Sequence, residues 1–209
     1  IALSNHINRN TQKTYQALIF KALNLEYKKQ PYTFKPKINE GYLNKFLQER
    51  NLTKEDKIIG INVGSGSRFP SKTWSLEKVG ELVEKLSEKY KIILLGGPNE
   101  IKIKNKLTEI KAEVNDFENS LEEFISVLSI CDLLITGDSL HLHLAIAMEK
   151  PIVSLFFVTP PWQIEDYPFL KKLFSPMLQD YYWSDINHPE LINSISTDEV
   201  LTECQKLLQ

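Results

Sequence analysis

The chain has 209 residues, 42% of them hydrophobic, with 25 lysines and arginines against 27 aspartates and glutamates. That length can bury a sizeable core, and the formal charge of -2 gives no electrostatic case for nucleic acid, whose binders carry a clearly basic surface. Two cysteines far apart in apolar helical patterns, Cys131 and Cys204, argue against a disulfide framework or a CxxC metal site, and no apolar run approaches the roughly 18 residues of a membrane span.

The chain opens on Ile1 and its first methionine is Met148, so sequence upstream is expected to be missing. Between residues 11 and 25, Tyr15, Leu18, Ile19, Ala22 and Leu23 recur at helical spacing, the stripe of a helix laid on a core. Two prolines in PYTFKPK disfavour helix, and a second stripe of Tyr42, Leu43, Phe46 and Leu47 follows. Residues 1–55 therefore read as a helical connector packed on the domain that follows, which spans 56–209.

From Lys57 strands and helices alternate. Ile58 to Val63 reads as a buried strand, and Ser75 caps a helix with Leu76, Val79, Leu82, Val83 and Leu86 on one face. A strand at Ile92 to Leu95 runs into Gly96-Gly97-Pro98, then a weak helix burying Ile103 and Leu107, then a short strand at Val114. Ser120 with Glu123 matches a capping box, in which hydroxyl and carboxylate satisfy each other's unpaired N–H groups. Leu133 to Thr136 and Ile152 to Phe157 are buried strands, and the helix between them places Leu140, Leu144 and Ala147 at helical spacing. An aromatic, proline-rich loop, a strand at Lys172 to Phe174 and a last helix from Thr197 complete the chain. This grammar predicts an α/β fold with a doubly wound parallel sheet.

Open sheets of this kind bind ligands beyond the C-terminal ends of their strands, where the first N–H groups of the next helix are unpaired. Gly137-Asp138-Ser139 occupies one such corner, and two readings stand for it: an N-cap alone, or ligand contacts. Gly64-Ser-Gly-Ser-Arg-Phe-Pro-Ser-Lys-Thr-Trp74 occupies another, with glycine for close backbone approach, hydroxyls of Ser65 and Ser67, and positive charge from Arg68 and Lys72. It is neither GxGxxG, since Phe69 stands where the third glycine belongs, nor Walker A, since serine precedes Lys72 and Pro70 interrupts the cradle. His141 and His143, two residues apart, point about 200° apart round a helix and cannot ligate one metal together. Glu100 lies where a carboxylate could accept ribose hydroxyls, and Trp162, Tyr167, Tyr181, Tyr182 and Trp183 could stack on a sugar or base.

Taken in order, GSGSRFPSKTW after a strand, the LLGGPNE turn, SLEEFISVLSICDLLITGDSLHLHLA and EKPIVSLF resemble the C-terminal domain of glycosyltransferase family nine, which contains the ADP-heptose:lipopolysaccharide heptosyltransferases. The resemblance covers residues 57 to 209, and the helix after Thr11 resembles the segment joining that family's two domains. It implies the Rossmann-like C-terminal half of a two-domain GT-B enzyme, binding a nucleotide-sugar donor of the ADP-heptose type. Lys72 with Ser65, Gly66 and Ser67 would hold the diphosphate, Glu100 the ribose, and Asp138, Ser139 and His143 the diphosphate and sugar, with Asn119 near the base. No metal or cofactor is implied. The acceptor would be a lipid-linked oligosaccharide at the cytoplasmic face of a bacterial inner membrane, with peripheral membrane association. The catalytic base would lie in an N-terminal domain that this chain lacks, leaving it inactive alone. Leu140 departs from the family's glycine. A nucleotide-binding or interaction module that kept the fold and lost transfer is the alternative.

Overall fold

The computed structural model describes residues 12–29, 34–64, 66, 68–107, 109–110 and 112–209. Helix α1 is Tyr15–Ala22 and α2 is Glu40–Glu49. Then come β1 (Ile58–Asn62), α3 (Leu76–Leu86), β2 (Lys91–Leu95), the short α4 (Lys104–Leu107) and β3 (Glu113–Val114). The second half runs α5 (Leu121–Ser129), β4 (Leu133–Gly137), α6 (Leu140–Ala147), β5 (Ile152–Phe156), β6 (Leu170–Phe174), α7 (Pro189–Ile192) and α8 (Thr197–Leu207). Side-chain caps fix the expected helix starts: Ser75 accepts from the Lys78 N–H, and Ser120 with Glu123 forms the full box. Ser196 and Glu199 form a second box at α8.

The six strands among the described residues pair in parallel, in the order β3-β2-β1-β4-β5-β6. A parallel strand needs cover on both faces, so successive side chains go to opposite cores. Ile59, Ile61, Leu94, Ile135 and Leu155 meet Val79, Leu82 and Val83 of α3 and Val200 and Cys204 of α8. Ile58, Ile93, Leu95, Leu134 and Phe156 meet Phe46 of α2, Leu128 of α5 and Leu142 and Ile146 of α6. Each fully buried aliphatic side chain contributes about 1.5–3 kcal/mol. Both cysteines are buried thiols, one in each layer.

Two expectations need correction. The stripe of α1 is not laid on this core: Leu18 is its buried residue, while Ile19 and Leu23 are 47% and 63% exposed. Amphipathic spacing records that a face is apolar, not that something covers it. Leu140 is 55% exposed, because α6 turns Leu142, Leu144, Ala145 and Ile146 inward instead.

The strand order reverses between β1 and β4: β2 and β3 extend the sheet on one side, β5 and β6 on the other. Connections leave in opposite directions there, which opens a crevice at the C-terminal strand ends. Both loops singled out from the sequence, after β1 and after β4, meet at that crevice.

Candidate functional site at the strand-order reversal

The floor of the crevice is a polar tie between the two central strands. Asn62, 6% exposed at the end of β1, donates from Nδ2 to Thr136 Oγ1 (3.1 Å) and Ser139 Oγ (3.2 Å), and its Oδ1 accepts from the Gly64 N–H (3.0 Å). Ser139 Oγ also lies 3.2 Å from Thr136 Oγ1 and 3.1 Å from His141 Nδ1. The Ser139 side chain makes no cap hydrogen bond to α6. Its hydroxyl is engaged in the strand tie, so the N-cap reading does not explain the residue.

One wall carries charge. Lys72 ends a single turn of 3-10 helix, Pro70–Lys72, and its Nζ meets Asp138 Oδ2 at 2.8 Å and the Asp138 carbonyl at 3.3 Å. The two side chains are 15% and 11% exposed, so the pair is largely withdrawn from water and only weakly screened. Gly137 permits the approach: a Cβ there would lie 2.4 Å from the Lys72 carbonyl oxygen. Lys72, Asp138, Ser139, Leu140 and His143 line an open cavity of about 550 Å³, whose lining is completed by Tyr15, Gln16 and Ile19 of α1. Burial lowers the pKa of His143, with Asp138 raising it and Lys72 lowering it. Its imidazole is thereby favoured in the neutral form. Burial, and then Asp138, raise that of the Tyr15 phenol.

The second compartment is apolar. Gly96, Gly97, Pro98, Asn119, Phe124, Leu140 and His141 are among the residues around a cleft of about 240 Å³, and Leu140 lines both spaces. Asn115 shapes the entrance, its amide accepting from the Gly96 N–H (2.8 Å) and donating to the Gly96 carbonyl (3.1 Å). Glu100 closes the corner, accepting from the Gly97 N–H at 2.8 Å and packing its carboxyl against Gly64. A planar, weakly polar ring fits the apolar cleft; an anionic, hydroxylated group fits the cavity beside Lys72.

His141 packs edge-on to Phe124 with ring centroids 4.9 Å apart, and its Nε2 is buried without a hydrogen-bond partner among the described residues. Burial pushes its pKa from 6.5 down to about 4. The unfolded chain takes up this proton near pH 6.5 while the folded chain refuses it until about pH 4, so stability falls as pH drops through that window. This group is expected to remove about 2 kcal/mol between pH 7 and pH 5. Urea unfolding at both pH values should show a loss about 2 kcal/mol smaller in His141→Phe than in the wild type.

Of the residues expected from the sequence, Lys72, Asp138, Ser139 and His143 converge on one cavity, and Asn119 lines the cleft beside it. Glu100 lines neither space: it sits against Gly64, Gly96 and Gly97, its carboxylate taken by the Gly97 N–H. Gly66 adopts φ 77°, a left-handed conformation that favours glycine. Ser65 and Ser67 lie outside the described residues. The aromatic loop packs on itself and its neighbours, Trp162 on Tyr182 and Trp183 on Phe69, rather than lining either compartment. Sequence reasoning missed Asn62, Tyr15, Gln16 and Phe124. Asn62 alone left a signal, a carboxamide ending an otherwise apolar strand.

Fold and crevice together define the class, a Rossmann-like doubly wound α/β domain. The chain belongs to glycosyltransferase family 9 (heptosyltransferase), whose family model matches residues 2–180. It is 26% identical over 133 residues to lipopolysaccharide heptosyltransferase 2 of Salmonella typhimurium, covering 59% of this chain and 38% of that protein. A glycosyl transferase family 9 structure from Veillonella parvula superposes with a TM-score of 0.75 at 22% identity, over 95% of this chain and 61% of that one. The E. coli ADP-heptose lps heptosyltransferase II superposes with a TM-score of 0.67 at 22% identity, over 90% and 56%. The chain thus spans less than two thirds of each relative.

Proposed function

We propose that this chain is the donor-binding half of an inverting, metal-independent glycosyltransferase. Its donor is a nucleoside diphosphate sugar of the ADP-heptose kind, and its acceptor is a lipid-linked oligosaccharide such as a lipopolysaccharide core. The observation that carries the reading is the pairing of compartments at the strand reversal: Lys72 and Asp138 in a cavity of about 550 Å³, joined across Leu140 to an apolar cleft of about 240 Å³. A nucleoside diphosphate sugar has those two chemistries in one molecule.

In the transfer step the acceptor hydroxyl attacks the anomeric carbon while the bond from that carbon to the diphosphate oxygen breaks. Negative charge grows on the leaving diphosphate, and Lys72 with the unpaired N–H groups at the start of α6 stabilises it. Asp138 accepts hydroxyls of the sugar, and neutral His143 donates to a diphosphate oxygen. The hydroxyl proton passes to a general base on the acceptor half, outside this chain. The setting that suits such an acceptor is the inner face of a bacterial inner membrane, reached by peripheral association. Among the described residues no helix is long and apolar enough to cross a membrane.

Calorimetric titration with ADP beside UDP and NAD tests the donor assignment. The expected result is ADP binding at least about tenfold tighter than UDP, a difference of 1.4 kcal/mol. Equal affinity for all three, or a preference for NAD, would overturn it. ADP binding by a protein carrying both halves, without consumption of ADP-heptose in the presence of acceptor, would identify a binding module that has lost transfer.

A further inference from the structure

Lys72 is held in place from a part of the chain more than a hundred residues away. Ser71, fully buried beside it, donates from Oγ to the Ile186 carbonyl (3.0 Å) and accepts from the His188 N–H (2.9 Å). One hydroxyl therefore uses donor and acceptor capacity together on the backbone of a single loop. The same segment is fastened at further points. Trp74 Nε1 donates to the Ile195 carbonyl (3.2 Å), the Ser75 N–H to the Ile192 carbonyl (3.4 Å), and Ser75 Oγ to Asn193 Oδ1 (2.6 Å). Phe69 meets Trp183 edge-on with ring centroids 5.9 Å apart.

The supporting loop is itself braced. His188 Nε2 lies 2.8 Å from Ser184 Oγ, its Nδ1 lies 3.4 Å from Glu190 Oε1, and Tyr181 donates to that same oxygen at 3.1 Å. On the opposite side the Lys72 carbonyl rests against Gly137, where no Cβ could fit. The turn that presents the lysine is gripped between the end of β4 and the loop before α7. A four-carbon side chain with free backbone would sample many positions, and fixing its base removes most of that freedom.

We infer that Ser71 is a positioning residue for the donor site: by locking the Pro70–Lys72 turn onto residues 186–188, it holds the Lys72 ammonium at the Asp138 carboxylate where the diphosphate is to be met. Its affinity arm rests on the donor reading above, whereas its first arm needs no ligand. In ligand-free protein, trace acetylation read by mass spectrometry reports the accessibility of each lysine. Ser71→Ala is expected to raise labelling of Lys72 about threefold or more relative to exposed Lys57, because an untethered turn lets the ion pair open. Unchanged relative labelling overturns the inference, whatever the protein binds.

In the second arm, Ser71→Ala weakens ADP binding about tenfold in the wild-type background but less than about twofold in Lys72→Ala, the coupling expected when one residue acts through the other. Equal losses in both backgrounds would show a merely structural role and overturn it. Where the wild type binds no ADP yet Ser71→Ala raises Lys72 labelling, the clamp stands and the donor reading falls. Should the alanine variant fail to fold, Ser71→Cys keeps a side chain of the same shape, slightly larger, and weakens both the donated and the accepted bond. A folded cysteine variant with no rise in Lys72 labelling overturns the inference equally.

Discussion

Gly137→Ala, one added methyl group, is expected to destabilise the fold by about 3 kcal/mol and to abolish ADP binding together with it. The new Cβ would lie 2.4 Å from the Lys72 carbonyl oxygen and 3.7 Å from that of Leu155. The second distance is an ordinary contact; the first is a clash with backbone, not with a side-chain end that can swing aside. Leu155 is in β5, paired on both sides, and Lys72 is in a turn tied down through Ser71. The turn must be displaced, and with it the ammonium that meets Asp138. Gly64→Ala is the control: its Cβ would fall 2.1 Å from the Glu100 carboxyl, which closer contact notwithstanding is the free end of a flexible side chain. Glu100 can turn away at the cost of its bond to the Gly97 N–H, about 1 kcal/mol. Urea unfolding of both variants checks the ranking, and a Gly137→Ala protein as stable as Gly64→Ala would show that the turn is free to yield.

Lys72→Ala should separate stability from binding. Removing the amine leaves the Asp138 carboxylate, 11% exposed, without its counter-charge. Surface pairs contribute close to nothing and breaking a buried pair costs 3–5 kcal/mol, so this pair, with a little exposure on each side, should cost about 2 kcal/mol. The binding loss should be larger, about a hundredfold for ADP, because the amine is then missing where diphosphate charge accumulates. Lys72→Ala combined with Asp138→Asn tests the division of labour: neutralising the orphaned carboxylate should restore most of the stability and little of the affinity. Recovery of ADP binding in the double variant would mean that the lysine serves only to neutralise Asp138. Unfolding curves and calorimetry on the wild type, Lys72→Ala and the double variant give both quantities.

The strength of these expectations comes from tertiary contacts, yet their residues were largely visible in the one-dimensional pattern. Lys72, Asp138 and His143 could be named because strand-to-helix loops in a parallel sheet converge on one edge wherever they lie in sequence. The family resemblance added their roles. The partners that make them work could not be named so. Asn62 finds Thr136 and Ser139 across the strand reversal, and Ser71 finds Ile186 and His188 on a distant loop, pairings without local periodicity.

What the sequence determined by itself is whatever depends on neighbours within one turn or one strand: the alternation of buried strands and helices, the capped starts at Ser75 and Ser120, and the place of a glycine- and serine-rich loop after the first strand. The tertiary structure decided the strand order, the depth of the Lys72–Asp138 pair, the wall supplied by Tyr15 and Gln16, and the exposure of Ile19, Leu23 and Leu140. The reason is physical. Apolar spacing states which residues would gain by leaving water, whereas the packing of the whole chain settles which surfaces have something to be buried against.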